Sequence, residues 1–228
     1  MSWLINSSIG RKLIMSISGL FLVLFLMFHS LMNFVVIISA DAYNTIAATL
    51  GANWYALIAT GILALGFIFH IIYALILSLQ NLKARGASRY AVSDSQKNVS
   101  WASKNMLVLG IIVLGFLALH LIHFWSKMQL VELMHGHNYA AAGYHDPTDG
   151  AYFIRELFTQ PLYSSIYIVW LVALWYHLTH GFWSAMQTLG LNNKTWLPRI
   201  KKISYVLATI ICLLFISVPV YYLLGFGA

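Results

Sequence analysis

The chain has 228 residues, of which 61% are hydrophobic and 8% charged, with a net charge of +7 and a mean hydropathy of +0.79. Soluble domains carry about 25% charged residues, so this composition excludes a soluble globular fold. The positive charge is confined to a few connecting segments, which argues against a nucleic-acid-binding surface.

Five stretches lack Asp, Glu, Lys and Arg over at least the roughly 20 apolar residues that a bilayer-crossing helix needs. They run approximately 13–38, 54–80, 105–126, 162–190 and 203–225. The expected fold is an all-α integral membrane bundle of five transmembrane helices, with residues 1–228 forming one domain. The first span is long, carries a histidine and has no small-residue cleavage site after a short core, so it reads as a retained helix rather than a signal peptide. A short loop with Asp41, Asn44 and Asn53 follows, and Trp54-Tyr55 opens the second span as an interfacial anchor. The polar segment 83–104 is expected to be a loop with a short surface helix at most. The third span closes near Trp125, and the longest loop then carries His135, His137, His145 and the turn signal Asp146-Pro147-Thr148-Asp149-Gly150. Pro161 opens the fourth span, where a first helical turn tolerates it. Asn192-Asn193 and Pro198 break the chain before the fifth, and Pro219 lies inside that last helix.

Charge sets the expected orientation. Arg11, Lys12, Lys83, Arg85, Arg89, Lys97, Lys104, Lys194, Arg199, Lys201 and Lys202 fall on one side, against Lys127 and Arg155 on the other. The positive-inside rule then puts the N-terminus in the cytoplasm and the C-terminus outside. A basic cytoplasmic face suits anionic lipid or a docking protein. The single cysteine, Cys212, excludes disulfides within the chain, a four-cysteine iron–sulfur cluster and the C-x-x-C-H attachment of c-type haem.

Four spans each contain a deep histidine: His29, His70, His120 and His177. An ionisable residue within a span is costly and marks a functional site. Residue counts from the span ends place His29 and His120 beyond the midplane toward the outside, and His70 and His177 in the inner half. Pairing by depth gives His29 with His120 and His70 with His177, at levels several Å apart. Two histidine pairs across facing helices suit two b-type haems as axial ligands. Iron between two neutral imidazoles has no open position and transfers electrons rather than binding oxygen. Gly66 and Gly181, each four residues from a ligand and on its helix face, suit either a flat cofactor or close helix packing. Ser16 and Ser18 are candidates to bond an inner haem propionate, with Arg11 and Lys12 offering charge. His180 is a candidate for a propionate or a quinone, and His123 for the rim of the outer haem. His135, His137 and His145 read as solvated loop residues.

The segments FLMFHSLMN (25–33), FIFHIIYALILS (67–78), FLALH (116–120) and YHLTHGFWS (176–184) resemble the cytochrome b membrane anchor of succinate dehydrogenase and fumarate reductase, in its five-helix, dihaem form. The resemblance covers nearly the whole chain in span count, order and topology. It implies ligation by His29 with His120 and by His70 with His177, the pairing that depth suggests independently. It also implies a bacterial cytoplasmic membrane, two haem b groups, a menaquinone substrate, and two cytoplasmic partners: an FAD flavoprotein with the dicarboxylate site and an iron–sulfur protein. The chain would thus be the quinone-reacting subunit of an oxidoreductase, with no flavin or iron–sulfur cluster of its own. For the quinone, the resemblance points to the outer haem's surroundings, where Asn33, Trp54, His123 and Trp125 are candidates; both tryptophans also read as interfacial anchors. Some members carry a glutamate two residues before the fourth-span ligand. Trp175 stands there instead, and the span cores contain no carboxylate, so a glutamate-based proton path is not expected.

Two other readings share parts of this pattern. A dihaem cytochrome b serving a formate or hydrogen dehydrogenase would have the same ligands. A histidine-lined metal transporter would explain intramembrane imidazoles without haem, but lacks the carboxylates that a cation path favours.

Overall fold

The computed structural model describes residues 6–85 and 100–227, and among them it is all helix and connecting turn, with no strand. Helix α1 (Ser8–Ile38) starts at Ser7, whose hydroxyl accepts from the Gly10 amide at 2.9 Å. It ends at Ser39, which turns extended and then caps α2 (Ala40–Thr49) by accepting from the Ala42 amide. One short polar residue thus stops one helix and starts the next. Asn53 closes the end of α2 by donating to the carbonyls of Ala48 and Thr49, and α3 (Trp54–Arg85) follows.

After the short α4 (Trp101–Lys104), α5 (Met106–His120) runs into a π-turn at Leu121–Trp125, where the Ser126 amide reaches back five residues to the Leu121 carbonyl. Helix α6 (Gln129–His135) and helix α7 (Gly150–Phe158) cross the same end of the molecule as α2. Helix α8 (Pro161–Thr188) has Pro161 in its first turn, and Gly190, at φ 101°, terminates it. Helix α9 (Trp196–Leu223) contains Pro219.

Five of these are long and apolar enough to cross a membrane: α1, α3, α5 with its π-turn, α8 and α9. They fall where the sequence places them, with the first and fifth starting earlier, the second ending later, and the other ends within two residues. The segment 39–53, read as a loop, is largely helix α2, and the 127–160 segment contains α6 and α7. Pro198 does not break the chain before α9 but sits in its first turn, where a missing amide costs no helical bond. The 83–104 loop lies mostly outside the described residues, as do Arg89, Asp94 and Lys97; α4 occupies its end.

Helices α1, α8 and α9 pack mutually, with Val23, Leu171, Leu174, Leu178, Ala208, Ile211 and Cys212 buried between them. Apolar side chains gain little from leaving lipid for protein, so close approach and interhelical hydrogen bonds matter more here. Ser204, fully buried on α9, donates to the Thr179 carbonyl of α8, and the Trp175 indole donates to Thr209 at 2.9 Å. Helix α3 packs along α1, and α5 along α8, on the flanks of this unit. Neither α1 with α5 nor α3 with α8 packs closely along its length. At the end capped by α2, α6 and α7, a second core gathers Val36, Ile154, Leu157, Phe158, Tyr167, Val218 and Tyr222.

Candidate functional site

The deep histidines meet as two pairs, across the two helix pairs that do not pack closely. His29 of α1 faces His120 of α5 with ring centres 5.8 Å apart, and His70 of α3 faces His177 of α8 at 6.3 Å. A metal–imidazole bond is about 2.0 Å and the ring nitrogen lies about 1.1 Å from the ring centre, so two imidazoles on opposite sides of one metal are centred about 6.2 Å apart. Both pairs stand within about half an ångström of that separation. All four residues are half-buried.

The levels of the two pairs are read off two helices independently. On α1, a Cβ at Gly19 would lie 3.2 Å from the His70 ring, and Gly19 precedes His29 by ten residues. On α5, a Cβ at Gly110 would lie 3.8 Å from the His177 ring, and Gly110 precedes His120 by ten residues. At a rise of about 1.5 Å per residue the pairs are about 15 Å apart along the bundle, wider than the several ångströms expected from span counting.

Their surroundings differ. His29 stacks on Phe25 at 5.1 Å and meets Phe215 at 5.6 Å, while His120 lies between Phe116 at 6.1 Å and Phe124 at 5.2 Å. His70 has Gly19 and Ser18 beside it, with Ser18 Oγ 3.5 Å from His70 Nδ1. Among the described residues, His177 Nδ1 is buried and has no hydrogen-bond partner, and the same holds for His180 Nδ1 one turn further on.

The other expected residues divide. Asn33 lies one turn beyond His29; its amide nitrogen donates to the His29 carbonyl at 2.8 Å and stands 3.3 Å from Nδ1 and 3.4 Å from Nε2, so it lies over the ring. Its Oδ1 accepts from Tyr43 of α2 at 3.4 Å, and burial, with Tyr222 adding to it, pushes the Tyr43 phenol above its ordinary range. His123, in the π-turn, has Nδ1 3.0 Å from the hydroxyl of buried Tyr167. The Trp125 indole donates to Gln129 at 2.8 Å, and Gln129 donates in turn to the Gly51 carbonyl, so Trp125 ties the cap together. Trp54 faces outward, 74% exposed, with its ring edge on Tyr55; no described contact joins it to the histidines. Ser16 is buried on α1 two residues before Ser18. His180 sits edge-on to Trp183 at 4.9 Å, and Lys201 lies over the same indole at 4.7 Å.

Gly66 proves to be a packing residue, since a Cβ there would lie 2.7 Å from the Phe21 ring of α1. Gly181 has open space around it, as does Gly115. Sequence reasoning missed Gly19, Gly110 and Tyr167. The repeated ten-residue spacing from glycine to histidine in the first and third spans is the signal that marks the first two.

Of the loop histidines, His145 is not simply solvated: it stacks on Tyr152 at 3.7 Å and pairs with Asp149 at 3.2 Å. Asp149 caps α7 by accepting from the Tyr152 amide, and also accepts from Asn44 of α2 at 2.8 Å. Burial raises its acidity constant's pKa, but the hydrogen bonds from His145, Asn44 and the Tyr152 amide outweigh this and hold the carboxyl below its usual range. Among the described residues no three His, Cys, Asp or Glu side chains gather to hold a metal ion. No protein-family model, curated protein or solved structure matches this chain.

Proposed function

We propose that the chain is a dihaem cytochrome b that anchors a succinate:quinone oxidoreductase in a bacterial cytoplasmic membrane and carries its quinone half-reaction. The observation that carries this reading is the meeting of His29 with His120 and of His70 with His177, at 5.8 and 6.3 Å, in a five-span bundle. Two imidazoles leave an ion four further positions, and the four nitrogens of a porphyrin are the group that fills them in a plane. Glycines 19 and 110 keep side-chain bulk away from the inner pair, and α1 with α5 and α3 with α8 do not pack closely along their lengths. Haem b bound in this way supplies one-electron transfer at an iron with no open position.

The chain's residues then have distinct tasks. His29 with His120, and His70 with His177, would each hold one haem through neutral imidazoles. Phe25, Phe116, Phe124 and Phe215 keep water from the cap-end pair. Lys201 and His180 stand where a carboxylate of the inner group would be received, with Ser16 a further donor on α1. Asn33 and His123, beside the cap-end pair, are the donors available to a quinone carbonyl, a group that needs a few placed donors in an apolar surround. Trp54 and Trp125 leave this role for anchoring and for tying the cap. The cap end faces outside, and the basic opposite end, with Lys104, Lys194, Arg199, Lys201 and Lys202, faces the cytoplasm and receives the iron–sulfur protein, which carries electrons from the FAD subunit.

Affinity purification of the chain from its native membranes tests the assignment. A co-purifying flavoprotein and iron–sulfur protein with succinate-dependent menaquinone reduction is the expected result. Formate or hydrogen oxidation in that preparation would instead identify a different quinone-linked dehydrogenase.

A further inference from the structure

His70 and His177 are alike as residues and unlike in what touches them. The Ser18 hydroxyl donates to the Met15 carbonyl of its own helix at 3.1 Å, the common local bond of a helical serine. Having donated its only proton, the oxygen offers lone pairs, and it stands 3.5 Å from His70 Nδ1. A hydroxyl already committed as donor can only accept from a ring nitrogen. With that bond to Met15 kept, Ser18 favours the tautomer of His70 that carries its proton on Nδ1 and leaves the lone pair on Nε2. Next to Ser18, Gly19 lets the ring edge approach α1: a Cβ there would lie 3.2 Å from His70 Cε1. Across the pair, His177 Nδ1 is buried and has no hydrogen-bond partner among the described residues.

We propose that Ser18 is a positioning residue that selects Nε2 of His70 as the metal-binding nitrogen and, through the chain Met15 carbonyl–Ser18–His70, sets the potential of the inner centre alone. The proposal rests on the dihaem reading. A ligand imidazole that donates its other N–H to an acceptor becomes a better electron donor to its metal. That favours the oxidised ion, so loss of the acceptor raises the midpoint. His177, with no such acceptor, contributes no matching term, which leaves one serine to tune the pair.

Redox titration of the purified full chain, followed by visible spectra, tests this with Ser18→Ala and Ser18→Thr in the same detergent. Ser18→Ala is expected to retain both b-type centres and to raise one midpoint, that of the centre whose signal is lost in His70→Ala. The ferrous-to-ferric ratio at fixed potential should rise up to about tenfold, which is 59 mV for a one-electron couple. Ser18→Thr, which keeps a hydroxyl, should restore the parental value. Loss of that one centre from Ser18→Ala, with both retained in Ser18→Thr, also supports the proposal. Unchanged midpoints in Ser18→Ala, or equal shifts of both centres, overturn it and leave the dihaem reading standing. A parent chain without b-type centres overturns that reading, and the proposal with it.

Discussion

His29 and His120 meet among four phenylalanines, whereas His70 and His177 meet beside two glycines and a serine. The cap-end pair is enclosed by bulk; the inner pair is defined by the bulk that is missing. Burial and hydrogen bonding around a haem tune its potential. Two centres with identical ligand types are therefore expected to have different midpoints, and changes at one should leave the other in place.

The strongest way to break this comparison is to remove ligands. His70→Ala or His177→Ala should abolish one centre, and His29→Ala or His120→Ala the other, so each variant keeps about half the parental haem, as read by extraction and pyridine haemochrome spectra. Loss of both centres from every variant would mean that the pairs are not independent. Next in size is Gly19→Leu. A Cβ at Gly19 already stands 3.2 Å from His70, so a full side chain must displace that ring. The inner centre should be lost and the cap-end centre kept, measured in the same way.

A smaller effect is expected from Gly66→Ala, whose Cβ would press on Phe21 at 2.7 Å. Forcing α3 from α1 should cost about 1–3 kcal/mol, the usual range for overpacking. A lowered thermal midpoint in detergent, with both centres still bound at low temperature, is the expected reading. Smallest is Asp149→Asn at the cap. The Asp149 carboxyl titrates below its unfolded value, so its stabilisation is present above the ordinary carboxylate range and fades as pH falls through the lowered folded value. With the side chain 35% exposed the contribution is below about 1 kcal/mol. The parent should thus lose a small part of its thermal stability on acidification, and Asp149→Asn should lose less over the same window.

Much of this was legible in the residues, and the limits have physical reasons. The span positions follow from uninterrupted apolar runs, and the histidine pairing follows from depth, because an α-helix has a fixed rise and the bilayer a fixed thickness. Rotation about each helix axis is not given by counting. Gly66 shares a helix face with His70, yet it faces Phe21, while Gly19 and Gly110, on other helices, are the glycines whose Cβ would meet the rings of His70 and His177. Span counts also underestimate the separation of the pairs, because span ends are uncertain by a turn and that error enters twice. Helix α2 was hidden in a short segment with no buried face, whereas α7 does carry a helical period in Phe153, Ile154, Leu157 and Phe158 but runs for only nine residues; Ser39 and Asp149, ordinary helix-starting residues, mark both. Tyr167 gave no signal at all, since an aromatic residue in a span is most often simple packing.

The claim on which all of this depends is that each histidine pair holds one iron porphyrin. The most direct measurement is the dithionite-reduced minus oxidised spectrum of the purified chain, with haem and protein quantified on the same sample. Two low-spin b-type haems per chain is the result expected. A colourless protein, or one with a single haem that survives replacement of all four histidines 29, 70, 120 and 177, would contradict it.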